Sequence, residues 1–229
     1  MTRTTNARIA GFTYLFYIAV AFPSLILFNR ATSGDGTAAK LASVAQHATD
    51  VRIAILLTLA SSFAAVVLAV ALYGITRTED HELAVLAMLC RVCEGLLGAI
   101  SIEAMVNLRW LTTATAGSGG PDTATANVLA AFLLMPGAGM LVPATFFAVG
   151  STIFCYLLLR GRMVPIPLAW LGVLASASLV VILPLQLAGW LKDLAFWYQW
   201  MPILVFELTV ALWLLIKGVK VAPLAAAVS

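Results

Sequence analysis

The chain has 229 residues, of which 62% are hydrophobic and only 10% are charged. Soluble domains carry about 25% charged residues, so this composition cannot cover a surface that faces water. It excludes a soluble enzyme and a disordered segment. The formal net charge of +3, without any run of basic residues, excludes a nucleic-acid-binding surface. The sequence therefore predicts an all-α integral membrane protein.

A membrane span needs about 20 mostly apolar residues. Six segments of this kind follow one another along the chain, at about 9–29, 53–76, 83–112, 140–159, 163–191 and 201–216. Two shorter helical segments, about 37–49 and 125–135, are predicted to lie at the membrane interface, and the second could instead re-enter the membrane. We expect 1–229 to form a single transmembrane domain, a six-helix bundle.

Six spans place both termini on the same side of the membrane, and basic residues favour the cytoplasmic side. Seven basic residues flank the spans on the side of the termini: Arg3, Arg8, Arg77, Arg160, Arg162, Lys217 and Lys220. The other side has five: Arg30, Lys40, Arg52, Arg109 and Lys192. Nearby aspartates offset the second set: Asp35, Asp50, Asp122 and Asp193. We therefore predict that both termini are cytoplasmic.

Four ionisable side chains lie inside the predicted spans, where a central charge costs about 2.5–3.5 kcal/mol. They are Arg91, Glu94, Glu103 and Glu207. Arg91 and Glu94 are three residues apart and share a helix face. Glu94 and Glu207 fall at similar depth, so we expect Glu207 to reach the Arg91–Glu94 pair. Glu103 points about half a turn away from Glu94 and shares its side with Asn107.

Two interpretations of these charges are open. In the first, a buried ion-pair network fixes the packing of the helices. In the second, the charges line a pocket or a proton route, a common role for ionisable groups inside membranes. The second interpretation makes Glu94, Glu103 and Glu207 candidate catalytic acids. The side chains expected to contact a ligand are Arg91, Asn107, Ser101, Trp110, Trp197 and Trp213.

Three other motifs have a plain interpretation and a functional one. Cys90 and Cys93 form a Cys-x-x-Cys, a redox pattern in soluble proteins, but chance explains it better in an apolar helix. The aromatic residues of 196–200 are predicted to form an interfacial belt or, alternatively, a lid over a cavity. Residues 136–139 form either a plain helix break or the broken backbone of a binding site. No metal site and no cofactor are predicted.

Several short motifs also occur in an informative order. The chain opens with Ala7-Arg8-Ile9-Ala10-Gly11, has Arg91-Val92-Cys93-Glu94 in the third span, and closes with Glu207-Leu208, Trp213-Leu214 and Lys217-Gly218-Val219-Lys220. This order resembles a family of small bacterial multi-pass membrane proteins, the domain of unknown function 4386. The resemblance covers nearly the whole chain. It implies six spans in a bacterial cytoplasmic membrane, and it implies no activity.

Four functions are open at this point. The leading hypothesis is a protein that binds a hydrophobic or lipid-like small molecule, because a polar centre lies inside an apolar bundle without a catalytic motif. The second is a membrane-embedded enzyme that protonates an isoprenoid or lipid, as cyclases do. The third is a small proton-coupled transporter built from two inverted halves of three spans. The fourth is a structural role. The expected partners are the lipid bilayer and a hydrophobic small molecule, not a nucleic acid.

Overall fold

The computed structural model describes residues 2–114, 120–135, 138–191 and 196–219. Within these ranges the protein is helical and contains no strand, which confirms the predicted all-α fold. The helices are, in chain order, α1 (Arg3–Ala31), α2 (Thr37–Gln46), α3 (Ala48–Thr76), α4 (His81–Ile100), α5 (Ile102–Ala114), α6 (Thr123–Leu133), α7 (Ala138–Arg160), α8 (Ile166–Leu187) and α9 (Phe196–Ile216).

Six helical segments are long and apolar enough to cross a membrane: α1, α3, the joined α4 and α5, α7, α8 and α9. Their ends follow from local chemistry. α1 begins at Arg3, earlier than the predicted 9, because the Thr2 hydroxyl accepts a hydrogen bond from the backbone N–H of Thr5. α8 ends at Leu187, before the predicted 191, because Gly189 adopts a left-handed φ of 75°.

The third span consists of two helices rather than one. Ser101 interrupts the helix between α4 and α5, and its hydroxyl donates to the backbone carbonyl of Gly98 at 2.6 Å. A serine that bonds to the preceding turn offers the backbone an alternative to the regular helical ladder, and such sites commonly bend helices. The single span predicted at 83–112 is therefore divided near its middle.

The six spans form a closed ring. α1 packs against α3, α3 against α4, α4 against α7, α7 against α8 and α8 against α9, and α9 returns to α1. α3 also contacts α7. Because every span has two neighbours in the ring, the interior is enclosed by helices from both halves of the chain.

The ring is closely packed near the side of the termini. A Cβ added at Gly11 in α1 would lie only 2.6 Å from the backbone oxygen of Ala211 in α9, so only glycine allows these two helices to approach so closely. Gly150 in α7 faces the backbone of α4 at Ala87 in the same manner, with 3.0 Å to its oxygen. Small residues of this kind let helix backbones approach in membranes.

On the opposite side, α2, α5 and α6 pack together into a small unit that we call the cap. The cap has its own buried apolar core, formed with neighbouring α1 and α3 by Ala31, Val44, Val51, Leu108, Leu111, Ala126 and Ala130. The Asp122 carboxylate caps α6 by accepting the backbone N–H of Thr125 at 2.7 Å, which holds the pKa of Asp122 below its ordinary value. Helices thus occupy the two regions predicted to be interfacial, 37–49 and 125–135, and their location at the interface stays a prediction.

Candidate functional site

A cavity of about 670 Å³ lies inside the ring, on the side of the cap. Its end on the side of the cap, which we call the mouth, is lined by Asn29, Thr32 and Lys40, near the ends of α1 and α2. Its inner end is formed by polar side chains that include Glu94 of α4 and Glu207 of α9. Most of the wall between these ends is apolar. The cavity is therefore an apolar passage with polar groups at each end.

The inner end lies near the middle of the spanning helices. At 1.5 Å per residue, Glu94 is about 20 Å from His81 along α4, and Glu207 is about 15 Å from Lys217 along α9. The hydrocarbon core of a bilayer is about 30 Å thick, so both carboxylates lie near its centre. Their similar depth agrees with the expectation from sequence.

Arg91 and Glu94 form a buried ion pair behind this inner end. Arg91 is completely buried, and its Nη1 lies 2.9 Å from Oε2 of Glu94. The same nitrogen donates to the hydroxyl of Ser151 in α7 at 3.5 Å. The guanidinium carbon is 4.6 Å from the ring centre of Phe147, also in α7, which is a cation–π distance. Arg91 therefore joins α4 to α7, and Gly150 leaves room for its side chain.

The second oxygen of Glu94 is also engaged. The hydroxyl of Tyr17 in α1 donates to Oε1 of Glu94 at 3.0 Å. The Glu94 carboxylate thus connects three spans. It pairs with Arg91 of its own helix, it accepts a hydrogen bond from α1, and Arg91 in turn contacts α7. Sequence spacing predicts the shared face of Arg91 and Glu94. The partners from α1 and α7 cannot be predicted from this spacing, because they depend on how the helices pack.

Glu207 differs from Glu94 in having no such partners. Its side chain is 6% exposed, and its Oε1 is buried without a hydrogen bond. Among the residues that the structure describes, no ion pair includes it. From sequence, we expect Glu207 to reach the Arg91–Glu94 pair. It lines the same cavity as Glu94 but does not contact Arg91 directly, because Arg91 is turned toward Glu94 and Phe147.

The other predicted site residues are distributed over the molecule. Ser101 lines the central cavity. Glu103 and Asn107 are exposed and line a separate depression of about 510 Å³ between α3 and α5, as the half-turn offset of Glu103 from Glu94 predicts. Trp110 is 58% exposed, and Trp213 packs against the main core away from the cavity. The predicted Trp197 lies in α9, but its side chain falls outside the residues described.

Three aromatic side chains belong to the site, of which reasoning from sequence missed Tyr17 and Phe147 and included Trp200 only in the alternative of a lid formed by 196–200. Tyr17, Phe147 and Trp200 all line the cavity. The rings of Phe147 and Trp200 are 6.2 Å apart and tilted, so α7 and α9 meet through aromatic side chains. A tyrosine within an apolar span carries a signal of its own, because a buried hydroxyl needs a hydrogen-bond partner. The two other rings look like ordinary apolar residues in the sequence.

Among the described residues, the cysteines form no disulfide, and the cysteines and acidic residues form no metal-binding cluster. Cys90, Cys93 and Cys155 are free thiols. Across the described ranges, no group of three or more histidine, cysteine, aspartate or glutamate side chains is arranged to hold a metal ion. The chemistry that this site can supply is therefore that of its carboxylates, its tyrosine hydroxyl and its aromatic rings.

Comparison with known proteins gives a family and no activity. A family model described as "Domain of unknown function (DUF4386)" matches residues 9–218, which include every span and the whole inner end of the cavity. No curated protein and no solved structure matches the chain.

Removing Arg91 should strongly destabilise the fold. Arg91→Met leaves Glu94 buried without its cation, and breaking such a pair costs about 3–5 kcal/mol. Adding Glu94→Gln removes the stranded charge and should recover most of that loss. The measurement is the free energy of unfolding in mixed micelles. Arg160→Met is the matched control, because it breaks a half-exposed pair with Asp80 and should cost less than about 1 kcal/mol. Equal losses for the two single variants would contradict the prediction.

Proposed function

The chain belongs to the DUF4386 family, a domain of unknown function, and from that premise we propose a function based on the cavity. The protein is a multi-pass membrane protein, and its proposed role is to bind a hydrophobic small molecule inside the ring of spans. The observation that carries the proposal is a passage of about 670 Å³ with apolar walls and two buried carboxylates at its inner end. Small-molecule sites have volumes of about 300–1,000 Å³ and a few convergent polar groups.

The dimensions of the cavity favour an elongated ligand. Tyr17 and Thr32 both line it, and they are about 20 Å apart along α1 at 1.5 Å per residue. Apolar side chains of α1 and α9, such as Phe22, Leu25 and Leu204, form the wall between its ends. A molecule with a long apolar body and a small polar group matches this distribution.

The polar group of the ligand is proposed to meet Glu207 and Glu94, whereas Ser101 lines the cavity about 10 Å farther along α4, toward the cap. Arg91 does not line the cavity, so it acts as a positioning residue that fixes the Glu94 carboxylate. Phe147 and Trp200 supply aromatic surface beside the inner end. In this proposal the ion pair and the pocket are parts of one site, because the pair holds Glu94 in the wall that the ligand contacts.

The proposed location is the bacterial cytoplasmic membrane, with both termini cytoplasmic. The side of the termini holds six of the basic residues that the structure describes: Arg3, Arg8, Arg77, Arg160, Arg162 and Lys217. Two of these, Arg3 and Arg160, form ion pairs at 3.4 and 3.2 Å with acidic residues of the α3–α4 turn. Basic residues near span ends favour cytoplasmic retention. In this orientation the cavity opens toward the outer side.

Proton-coupled transport is a second candidate, favoured by the placement of the two carboxylates. Glu94 lies on the third span of the first half of the chain, and Glu207 lies on the third span of the second half. The two halves cross the membrane in opposite directions, and both glutamates face the same cavity. Inverted halves with a site near the midplane are typical of secondary transporters.

Filling the cavity should expel the ligand. Ala21→Trp places an indole in the cavity, whereas Ala19→Trp places the same side chain on the exposed surface of α1. Native mass spectrometry with solvent extraction should find a stoichiometric hydrophobic molecule in the parent protein and in Ala19→Trp, and not in Ala21→Trp. The proposal would be refuted if the parent carries no such molecule and also fails to take up added dodecanol.

The proposed topology predicts that both ends of the chain are cytoplasmic. Reporter domains that fluoresce only in the cytoplasm should be active when fused to either terminus, and inactive when inserted between α2 and α3. Activity of the inserted reporter, with both terminal fusions dark, would reverse the orientation.

Transport makes a separate prediction. Liposomes that contain the protein and an internal pH dye should show a proton flux beyond that of protein-free liposomes when a gradient of a hydrophobic probe, such as dodecylamine, is imposed. Glu207→Gln should abolish this flux, and Glu82→Gln, on the exposed first turn of α4, should leave it intact. Binding without any protein-dependent flux would leave the binding function standing and refute transport.

A further inference from the structure

Glu207 is the carboxyl group of the inner end that lacks an ionic partner among the described residues. Arg91 is paired with Glu94 at 2.9 Å, and the other Glu94 oxygen accepts the Tyr17 hydroxyl at 3.0 Å. Glu207 has no ion pair within the described part of the chain, although it is 94% buried and its Oε1 accepts no hydrogen bond. The inner end therefore contains one cation and two carboxyl groups. A buried carboxylate without a partner is costly, and a bound cation would remove that cost.

A ligand at the inner end of the cavity would contact the carboxyl oxygens of the glutamates and not the guanidinium of Arg91. Glu207 and Glu94 line it, whereas Arg91 lies behind them with its guanidinium over the ring of Phe147. Lys40 is the basic side chain of the described lining, and it borders the mouth in α2, far along the passage from Glu207. An anionic ligand group at the inner end would therefore meet carboxylates first.

The wall next to Glu207 suits a cation with an apolar body. Trp200, Ile203, Leu204 and Glu207 recur along α9 at helical spacing and all line the cavity. From Glu207 toward the mouth, a ligand thus follows aliphatic surface and then an indole ring. Phe147 lies beside this indole at 6.2 Å. Trp200 is about 10 Å from Glu207 along α9, so these rings would flank the apolar body of the ligand rather than its nitrogen.

We infer that the ligand is a lipophilic amine, bound with its protonated nitrogen at Glu207 and its apolar body along α9 and α1 toward the mouth. This inference rests on the proposed function, since it names the chemical class of the molecule in that same cavity. An ammonium group donates charge-assisted hydrogen bonds to a carboxylate, and these are stronger than bonds between neutral groups. The ammonium group gives the Glu207 carboxylate the ionic partner that the described residues do not supply.

The test compares three probes with the same twelve-carbon chain: dodecylamine, dodecanol and dodecanoate. Dodecylamine is protonated at pH 7, as lysine side chains are. Binding to the full-length protein in lipid nanodiscs is measured by calorimetry, and partitioning into empty nanodiscs is subtracted. We expect dodecylamine to bind at least tenfold more tightly than either of the other probes. Dodecanoate binding as tightly as the amine, or more tightly, would overturn the inference.

Variants separate the roles of charge and shape. Glu207→Gln should weaken the binding of dodecylamine at least tenfold, to the affinity of dodecanol, and should leave the binding of dodecanol unchanged. Glu207→Asp keeps the charge and should keep the preference for the amine. Glu82→Gln is the control for loss of an exposed carboxylate and should behave as the parent does. An unchanged preference for the amine in a folded Glu207→Gln protein would overturn the inference.

The failure of this inference and the failure of the proposed function give different results. If the parent binds dodecanol and dodecylamine equally, and Ala21→Trp blocks both, the cavity function stands and the amine assignment falls. If the parent binds none of the three probes, both fall together.

Discussion

The buried cation of Arg91 constrains the rest of the site. A guanidinium near the centre of a bilayer must be paired within the protein, because no water is available to solvate it. Glu94 supplies the charge from one turn away on α4, at 2.9 Å, and Ser151 and Phe147 of α7 complete the surroundings. This arrangement requires α7 to lie against α4, and the Tyr17 hydroxyl ties α1 to the same carboxylate. One pair thus fixes the relative position of three spans.

The position of the cavity follows from unequal packing along the ring. Glycines such as Gly11 and Gly150 bring helix backbones together near the side of the termini. On the other side, the apolar core of α2, α5 and α6 lies against α1 and α3, while α7 and α9 meet through the rings of Phe147 and Trp200. Gly95 keeps α4 close to the backbone of α3 on this side as well, but the described residues of α7 and α9 make no close backbone approach. The space left between them is the passage that ends at Glu94 and Glu207.

The sequence predicts the helices well, but it says little about which helices pack against each other. Hydrophobic length predicts six spans, and the spacing of Arg91 and Glu94 predicts their shared face. The half-turn offset of Glu103 likewise agrees with its location on a different surface. In contrast, nothing in the periodicity of α1 identifies Tyr17 as the partner of Glu94, because helix order around the ring comes from packing between distant segments. The break at Ser101 was also missed, since one hydroxyl–carbonyl bond leaves no trace in a hydropathy pattern.

The break at Ser101 divides the third span into two helices with different neighbours. α4 belongs to the ring through α3 and α7, whereas α5 contacts both short helices of the cap. Ser101 stands between them, so the third span consists of two rods with a joint at the wall of the cavity. The cap packs on α5, and the Arg91–Glu94 pair lies on α4. The entrance of the passage and its charged floor are therefore built on different parts of the same span.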